Sequence, residues 1–322
     1  MVMKESGGTP LPLVLFLLLI SVTQAACNIQ QLAAADGSAT PLQGKLLHMK
    51  LVDIGITDSD LDRIRQLGFS VLNGEWGIGA ITPPEMVAFL DRLQQRGLKF
   101  VVNLAEGAAW GYPPGGSFDS EQPPVWQGEL VKEYLERIRH HPAIYAYDIS
   151  NEAGENLPNG ARMRITLEQL YQAAADVRFI DGTRPILIRM HYWDDADGDF
   201  SWKNPFGPGI ADIVMLNLYS NYSSDGIQAL LPNMVRDSGQ RLVNKILAVD
   251  HSVRVWISLA AFRDKPHFLK PTMADIRRDV LQAASLEGID SIGFFGWGSP
   301  QNGAGWYLPR EGAGLLDFIR QR

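Results

Sequence analysis

Eight short apolar runs recur along the chain, and each is followed by a longer stretch with helical spacing. This alternation restricts the possible folds more than any single motif does. The runs are KLLHMK (45–50), FSVLNG (69–74), KFVVNLA (99–105), IYAYDIS (144–150), PILIRMH (185–191), DIVMLNLY (212–219), VRVWISLA (253–260) and SIGFFGW (291–297). Each has the length and the β-branched or aromatic content of a strand buried on both faces. Between them, Met86, Phe89, Leu90 and Leu93 fall on one helical face, as do Leu167, Leu170, Tyr171, Ala174 and Val177, and Met273, Ile276, Val280 and Ala284. Asp or Ser in TDSDLDRI offers a helix N-cap, and Gly in LGF, RGLKF and EGID marks helix-to-strand turns. Eight such units with no linker or composition break predict an α/β protein with a single (β/α)8 TIM barrel over residues 44–322. A doubly wound open sheet is the alternative, but no GxGxxG or Walker loop follows the first strand.

The N-terminus is of another kind. Lys4 precedes LPLVLFLLLI (11–20), too short to span a bilayer as a helix but of signal-peptide length. Residues 1–26 are therefore read as a signal peptide, and 27–43, rich in Gln, Ala, Gly and Ser, as a tether. Cys27 is the sole cysteine, so no intramolecular disulfide can form. Its place after Ala25 and Ala26 resembles the lipidated cysteine of bacterial lipoproteins. That resemblance implies export and a lipid anchor in the cell envelope, although Gln24 stands where such sequences usually carry Leu, and cleavage with plain secretion or periplasmic release is the alternative. The net charge of −7 argues against a nucleic-acid partner, which needs clustered Lys and Arg.

Barrel enzymes do their chemistry where strands end and the following loops begin. The residues at those ends are Glu75 and Trp76, Glu106 and Trp110, Asn151 and Glu152, His191, Tyr192 and Trp193, Asn217 and Tyr219, and Trp297. Six of the eight tryptophans (Trp76, Trp110, Trp193, Trp202, Trp297 and Trp306) lie on or after expected strand ends, whereas a purely structural role would scatter them. Indole faces beside carboxylates at one mouth suit a carbohydrate, whose C–H faces stack and whose hydroxyls hydrogen-bond. An aromatic-packed rim is the plainer reading of any one of them.

The segment HHPAIYAYDISNEAGE resembles the fourth-strand signature of the clan A glycoside hydrolases, the (β/α)8 retaining glycosidases that include many cellulases, mannanases and β-galactosidases. The resemblance implies that Asn151 holds the substrate's 2-hydroxyl and that Glu152 is the acid/base. It matches Asp148 to an aspartate often found three residues before the Asn, and it departs where Ala153 replaces the usual Pro. The sixth strand, from Asp212 to Tyr219, resembles one that ends in an aromatic beside the nucleophile, and IGFFGWG resembles the strand whose tryptophan, here Trp297, underlies the sugar. The segment from Val255 to Trp297 is also similar to a looser group of bacterial glycosidase-like barrels that often lack the standard nucleophile.

The chemistry requires two carboxyl groups. One protonates the glycosidic oxygen, and the other attacks the anomeric carbon or activates water. The clan's nucleophile is a Glu ending the seventh strand, but here that place falls on Leu259, Ala260 or Ala261, and no glutamate occurs between Glu168 and Glu287. Glu75, Glu106, Asp264 and Asp250 are the candidate replacements. Three readings stay open: another carboxylate serves, the protein binds glycan without cleaving it, or Glu152 is structural. Substrate contacts are expected from Asn151, His191, Tyr219, Trp110, Trp193 and Trp297, with a carbohydrate as partner and no cofactor. The stretch WDDADGDFSW carries Asp194, Asp195, Asp197 and Asp199, but it lacks the glycine and closing Glu of an EF-hand loop. The six histidines show no zinc spacing, so no metal is expected. No GxSxG elbow is present, which removes the usual serine-esterase reading.

Overall fold

Parallel strands can neighbour one another only if the chain is carried back between them, and the amphipathic stretches do that here. The computed structural model describes residues 42, 44–52, 54–74, 77–105, 107–112, 124–153, 165–191, 205–221, 232–263, 268–297 and 306–307. In order they form β1 (Leu46–Val52), α1 (Asp58–Gln66), β2 (Val71–Gly74), α2 (Pro83–Gln95), β3 (Lys99–Asn103), a 3-10 turn (Gly107–Trp110), α3 (Gly128–Ile138), β4 (Ile144–Asn151) and α4 (Leu167–Ile180). Then come β5 (Ile186–His191), β6 (Ile213–Leu218), α5 (Met234–Val249), β7 (Arg254–Ala260), β8 (Phe262–Arg263), α6 (Met273–Ala284), β9 (Ile289–Phe295) and β10 (Trp306–Tyr307). Strands β1 to β7 and β9 close into one barrel in chain order, while β8 and β10 pair antiparallel outside it. All eight expected runs are barrel strands, the last of them starting two residues earlier than its pattern indicates. The expected signal peptide, tether and Cys27 lie outside the described residues. Among those residues no helix is long and apolar enough to cross a membrane.

Helix starts follow their local chemistry. In α2 the Thr82 and Glu85 side chains form a capping box with Pro83 in the first turn, and the apolar quartet Met86, Phe89, Leu90 and Leu93 is buried against the barrel. Thr166 with Gln169 and Thr272 with Asp275 do the same for α4 and α6.

The inside of the barrel changes character along its axis. Toward the N-terminal ends of the strands it is filled by Val71, Val101, Ala146, Leu187, Ile213, Met215 and Trp256. His48 stacks on Trp256 at 5.0 Å, and its Nδ1 lies 2.7 Å from the Ser291 hydroxyl. A Cβ at Gly293 would lie 2.2 Å from the His48 carbonyl oxygen, so only glycine lets β9 pass this ring. Toward the C-terminal ends the buried inward residues become polar: Lys50, Asn73, Asp148, Arg189 and Asn217.

Candidate active site

Glu152 follows the last residue of β4, and its backbone is unusual. Its φ of 49° is the one positive φ at a non-glycine residue among the described residues. The left-handed conformation costs an ordinary residue roughly 1–2 kcal/mol, and such strain is retained where a side chain must be aimed. The turn is held by the Glu152 N–H donating to the Arg189 carbonyl at 2.9 Å. Here it directs the carboxyl group into the barrel, where the side chain is 8% exposed and its Oε1 accepts from Asn217 Nδ2 at 2.5 Å.

Asn217 lies on β6, in register with His191 on β5. Its other amide atom, Oδ1, accepts from Lys50 Nζ at 2.8 Å, and Lys50 also donates to the Tyr219 hydroxyl at 3.1 Å. A lysine from β1 therefore reaches across the mouth to the end of β6, 2% exposed, with its ammonium 5.2 Å from the Phe295 ring centre. The chain of contacts runs from carboxylate through amide to ammonium to phenol. A second layer supports it: Asp148 forms a fully buried ion pair with Arg189 at 2.6 Å and accepts from Asn73 Nδ2 at 3.2 Å. Two charges of opposite sign so close offset one another's desolvation.

His191 sits in the same polar layer. Burial pushes its pKa down to about 4, the Lys50 charge pushes the same way, and Glu152 opposes them. The imidazole is therefore neutral near pH 7, able to donate from one nitrogen and accept at the other.

The expected substrate contacts divide. Asn151 is half-buried as the last residue of β4, in register with Arg189 on β5 and next to Glu152 in the chain. Trp297, just after β9, is buried, and its indole N–H has no acceptor among the described residues. Trp110 is placed differently from expectation: it is 1% exposed, its N–H donates to the Ile149 carbonyl at 3.0 Å, and it packs on Trp126 at 4.9 Å. Both indole position and donor are used in packing, so it offers no face to a sugar. Trp193 lies outside the described residues, as do Tyr192, Trp76, Trp202 and the acidic stretch from Asp194 to Asp199.

The second carboxylate is the open position. Glu75, Glu106 and Asp264 lie outside the described residues. Asp250 is removed by its location: it ends α5 ahead of β7, accepting from the Gly209 and Ser252 N–H groups. The length of a seven-residue strand, about 20 Å, separates it from the mouth. The end of β7 is apolar, with Ala260 packed beside Tyr219, Phe262, Phe268 and Phe295. Sequence reasoning missed Lys50 and Arg189. Their signal was available, because polar side chains at alternate positions in an apolar strand, His48 and Lys50 or Arg189 and His191, mark an inward face that has turned polar.

Comparison with known proteins bears on the architecture. The structure superimposes with a TM-score of 0.55 at 14% identity on a GH2 β-galacturonidase from Eisenbergiella tayi bound to galacturonate, covering 86% of this chain and 51% of that one. The endo-1,4-β-D-mannanase of Thermotoga petrophila RKU-1 gives 0.52 at 13% identity, covering 86% and 100%. What these structures share with this chain is the closed eight-stranded (β/α)8 barrel. A third barrel of this fold, a GH5 protein from Streptomyces cattleya in complex with Manβ1-4GlcNAc, matches at 0.55 and 14% identity over 75% of this chain and 65% of that one. The chain spans about half the length of the β-galacturonidase and of an uncultured Clostridium β-glucuronidase. No family model and no curated protein matches the sequence.

Proposed function

We propose that this protein is a glycoside hydrolase-type protein acting on a β-linked polysaccharide or oligosaccharide, with Glu152 as general acid/base. The observation that carries the reading is the Glu152 carboxyl itself, turned into the mouth by a left-handed backbone and held by Asn217. A residue kept in that conformation for packing alone would gain nothing from a carboxylate. Asn151 is assigned the 2-hydroxyl contact, His191 and Tyr219 the flanks of the sugar ring, and Trp297 its platform. Glu75, Glu106 and Asp264 are the candidates for the second carboxylate. Neighbours with this fold include a β-galacturonidase, a β-glucuronidase, a β-galactosidase, an endo-1,4-β-D-mannanase and a proposed α-L-fucosidase, which supports a glycan as the ligand class.

A second reading is favoured by the apolar end of β7. With Ala260 in an aromatic cluster where a nucleophile would stand, the protein would bind glycan at the envelope without cleaving it. Turnover on a panel of β-glucans, mannans and uronate-containing oligosaccharides separates the two. Hydrolysis that disappears in Glu152→Gln supports the enzyme. Binding with no turnover supports the binding protein, and hydrolysis that survives Glu152→Gln removes Glu152 from the acid role. We also propose that Cys27 carries a lipid anchor at the cell envelope. Metabolic labelling with palmitate, lost in Cys27→Ser, tests it.

A further inference from the structure

We propose that Lys50 is a positioning residue that governs the protonation of Glu152, acting through the side-chain amide of Asn217. An ammonium has only hydrogens to offer, so the amide atom facing Lys50 must be Oδ1, as observed at 2.8 Å. That choice leaves Nδ2, and only Nδ2, for Glu152 Oε1 at 2.5 Å. Drawing electron density toward Lys50 makes the Asn217 N–H a stronger donor, so the amide favours the Glu152 carboxylate. It also fixes where a proton can sit: Oε1 is occupied by a donor, so a protonated Glu152 carries its hydrogen on Oε2. Tyr219 keeps the ammonium in place from the other side, accepting from it at 3.1 Å.

The other described groups around the mouth differ in kind from Lys50. Asn73 from β2 is neutral. Asp148 on β4 and Arg189 on β5 neutralise each other in their ion pair. His191 on β5 is a neutral imidazole near pH 7. The end of β7 contributes alanine and no charge. In a site built on two close carboxylates, the partner pushes the acid's proton affinity up. Here a cation linked by one amide pulls it down. Lys50 thus does the opposite of a seventh-strand glutamate.

The inference deepens the acid/base reading of Glu152, but its test needs no substrate, so its failure and that of the reading are separate results. The full chain labelled with ¹³C at glutamate carboxyls would be titrated by NMR, with the Glu152 signal identified by its loss in Glu152→Gln. Lys50→Met should move the Glu152 midpoint up by about one pH unit or more, and Asn217→Leu should do likewise. The double variant should move it no further than the larger single one, because both remove one path. Lys50→Arg, which keeps the charge, should leave the midpoint near that of the wild type. A midpoint unchanged in Lys50→Met overturns the proposal, and so does one moved in Lys50→Met but unchanged in Asn217→Leu. Should Lys50→Met lose its near-UV circular dichroism, Asn217→Leu alone decides.

Discussion

The two ends of the barrel are built on the same eight strands and do opposite things. At the N-terminal end the inward positions carry Val71, Val101, Leu187, Met215 and Trp256, with His48 stacked flat on the indole. One or two residues further along the same strands, the inward positions carry Lys50, Asn73, Asp148, Arg189 and Asn217, all buried and linked by hydrogen bonds or an ion pair. The first end gains its stability from removing apolar area from water. The second spends part of that gain on polar groups that are satisfied only by one another. The contrast teaches that burial alone does not separate structural from functional residues here. The sign and connectivity of the buried groups do.

The contrast can be broken in graded ways. Glu152→Gln is expected to have the largest effect: turnover falling by roughly 10²- to 10⁴-fold with the unfolding midpoint in urea little changed, because the isosteric amide still fills the mouth. Trp256→Ala at the other end should cost about 3–5 kcal/mol of stability, measured by the same urea unfolding. It should leave the Glu152 titration alone. Arg189→Met should cost a similar 3–5 kcal/mol by leaving Asp148 buried without its cation, and the uncompensated Asp148 charge in the same polar layer should also disturb the Glu152 titration. Equal effects of Trp256→Ala and Arg189→Met on the Glu152 signal would erase the distinction between the ends.

A smaller effect comes from pH, and it acts at both ends. The folded pKa values of His48 and His191 are lowered to about 3 and about 4 from 6.5, in both cases chiefly by burial. Below about pH 6.5 the unfolded chain therefore binds protons that the folded one refuses. The stability contribution of each imidazole is complete above that pH and is lost as pH falls toward the folded values. The expected loss is on the order of 1 kcal/mol per pH unit for each imidazole, read from urea midpoints at a series of acidic pH values. His48→Gln should flatten about half of that slope.

Much of this was legible in the chain. The eight apolar runs give the barrel because a strand buried on both faces has no room for polar residues except where its inward face opens. The β4 signature ending in Asn151 and Glu152 could be placed for the same reason. What escaped was pairing across the barrel. Nothing local to KLLHMK says that Lys50 will meet Asn217 and Tyr219, 167 and 169 residues away. Trp110 was misplaced because strand-end position does not tell which way an indole turns, and the short 3-10 turn packs it inward against Ile149 and Trp126. Asp250 looked close to the seventh strand in sequence, but it belongs to the wrong end of it.

If the proposed glycan site lies at the polar end of the barrel, the two ends must respond differently to a sugar. His48 and His191 report on the two ends with the same chemical group, one buried against Trp256 and one beside Glu152 and Lys50. Imidazole resonances of the full chain would be followed by NMR while a β-linked oligosaccharide panel is added. A bound oligosaccharide should shift His191 and leave His48 where it was. A ligand that shifts His48 and leaves His191 untouched would contradict that placement.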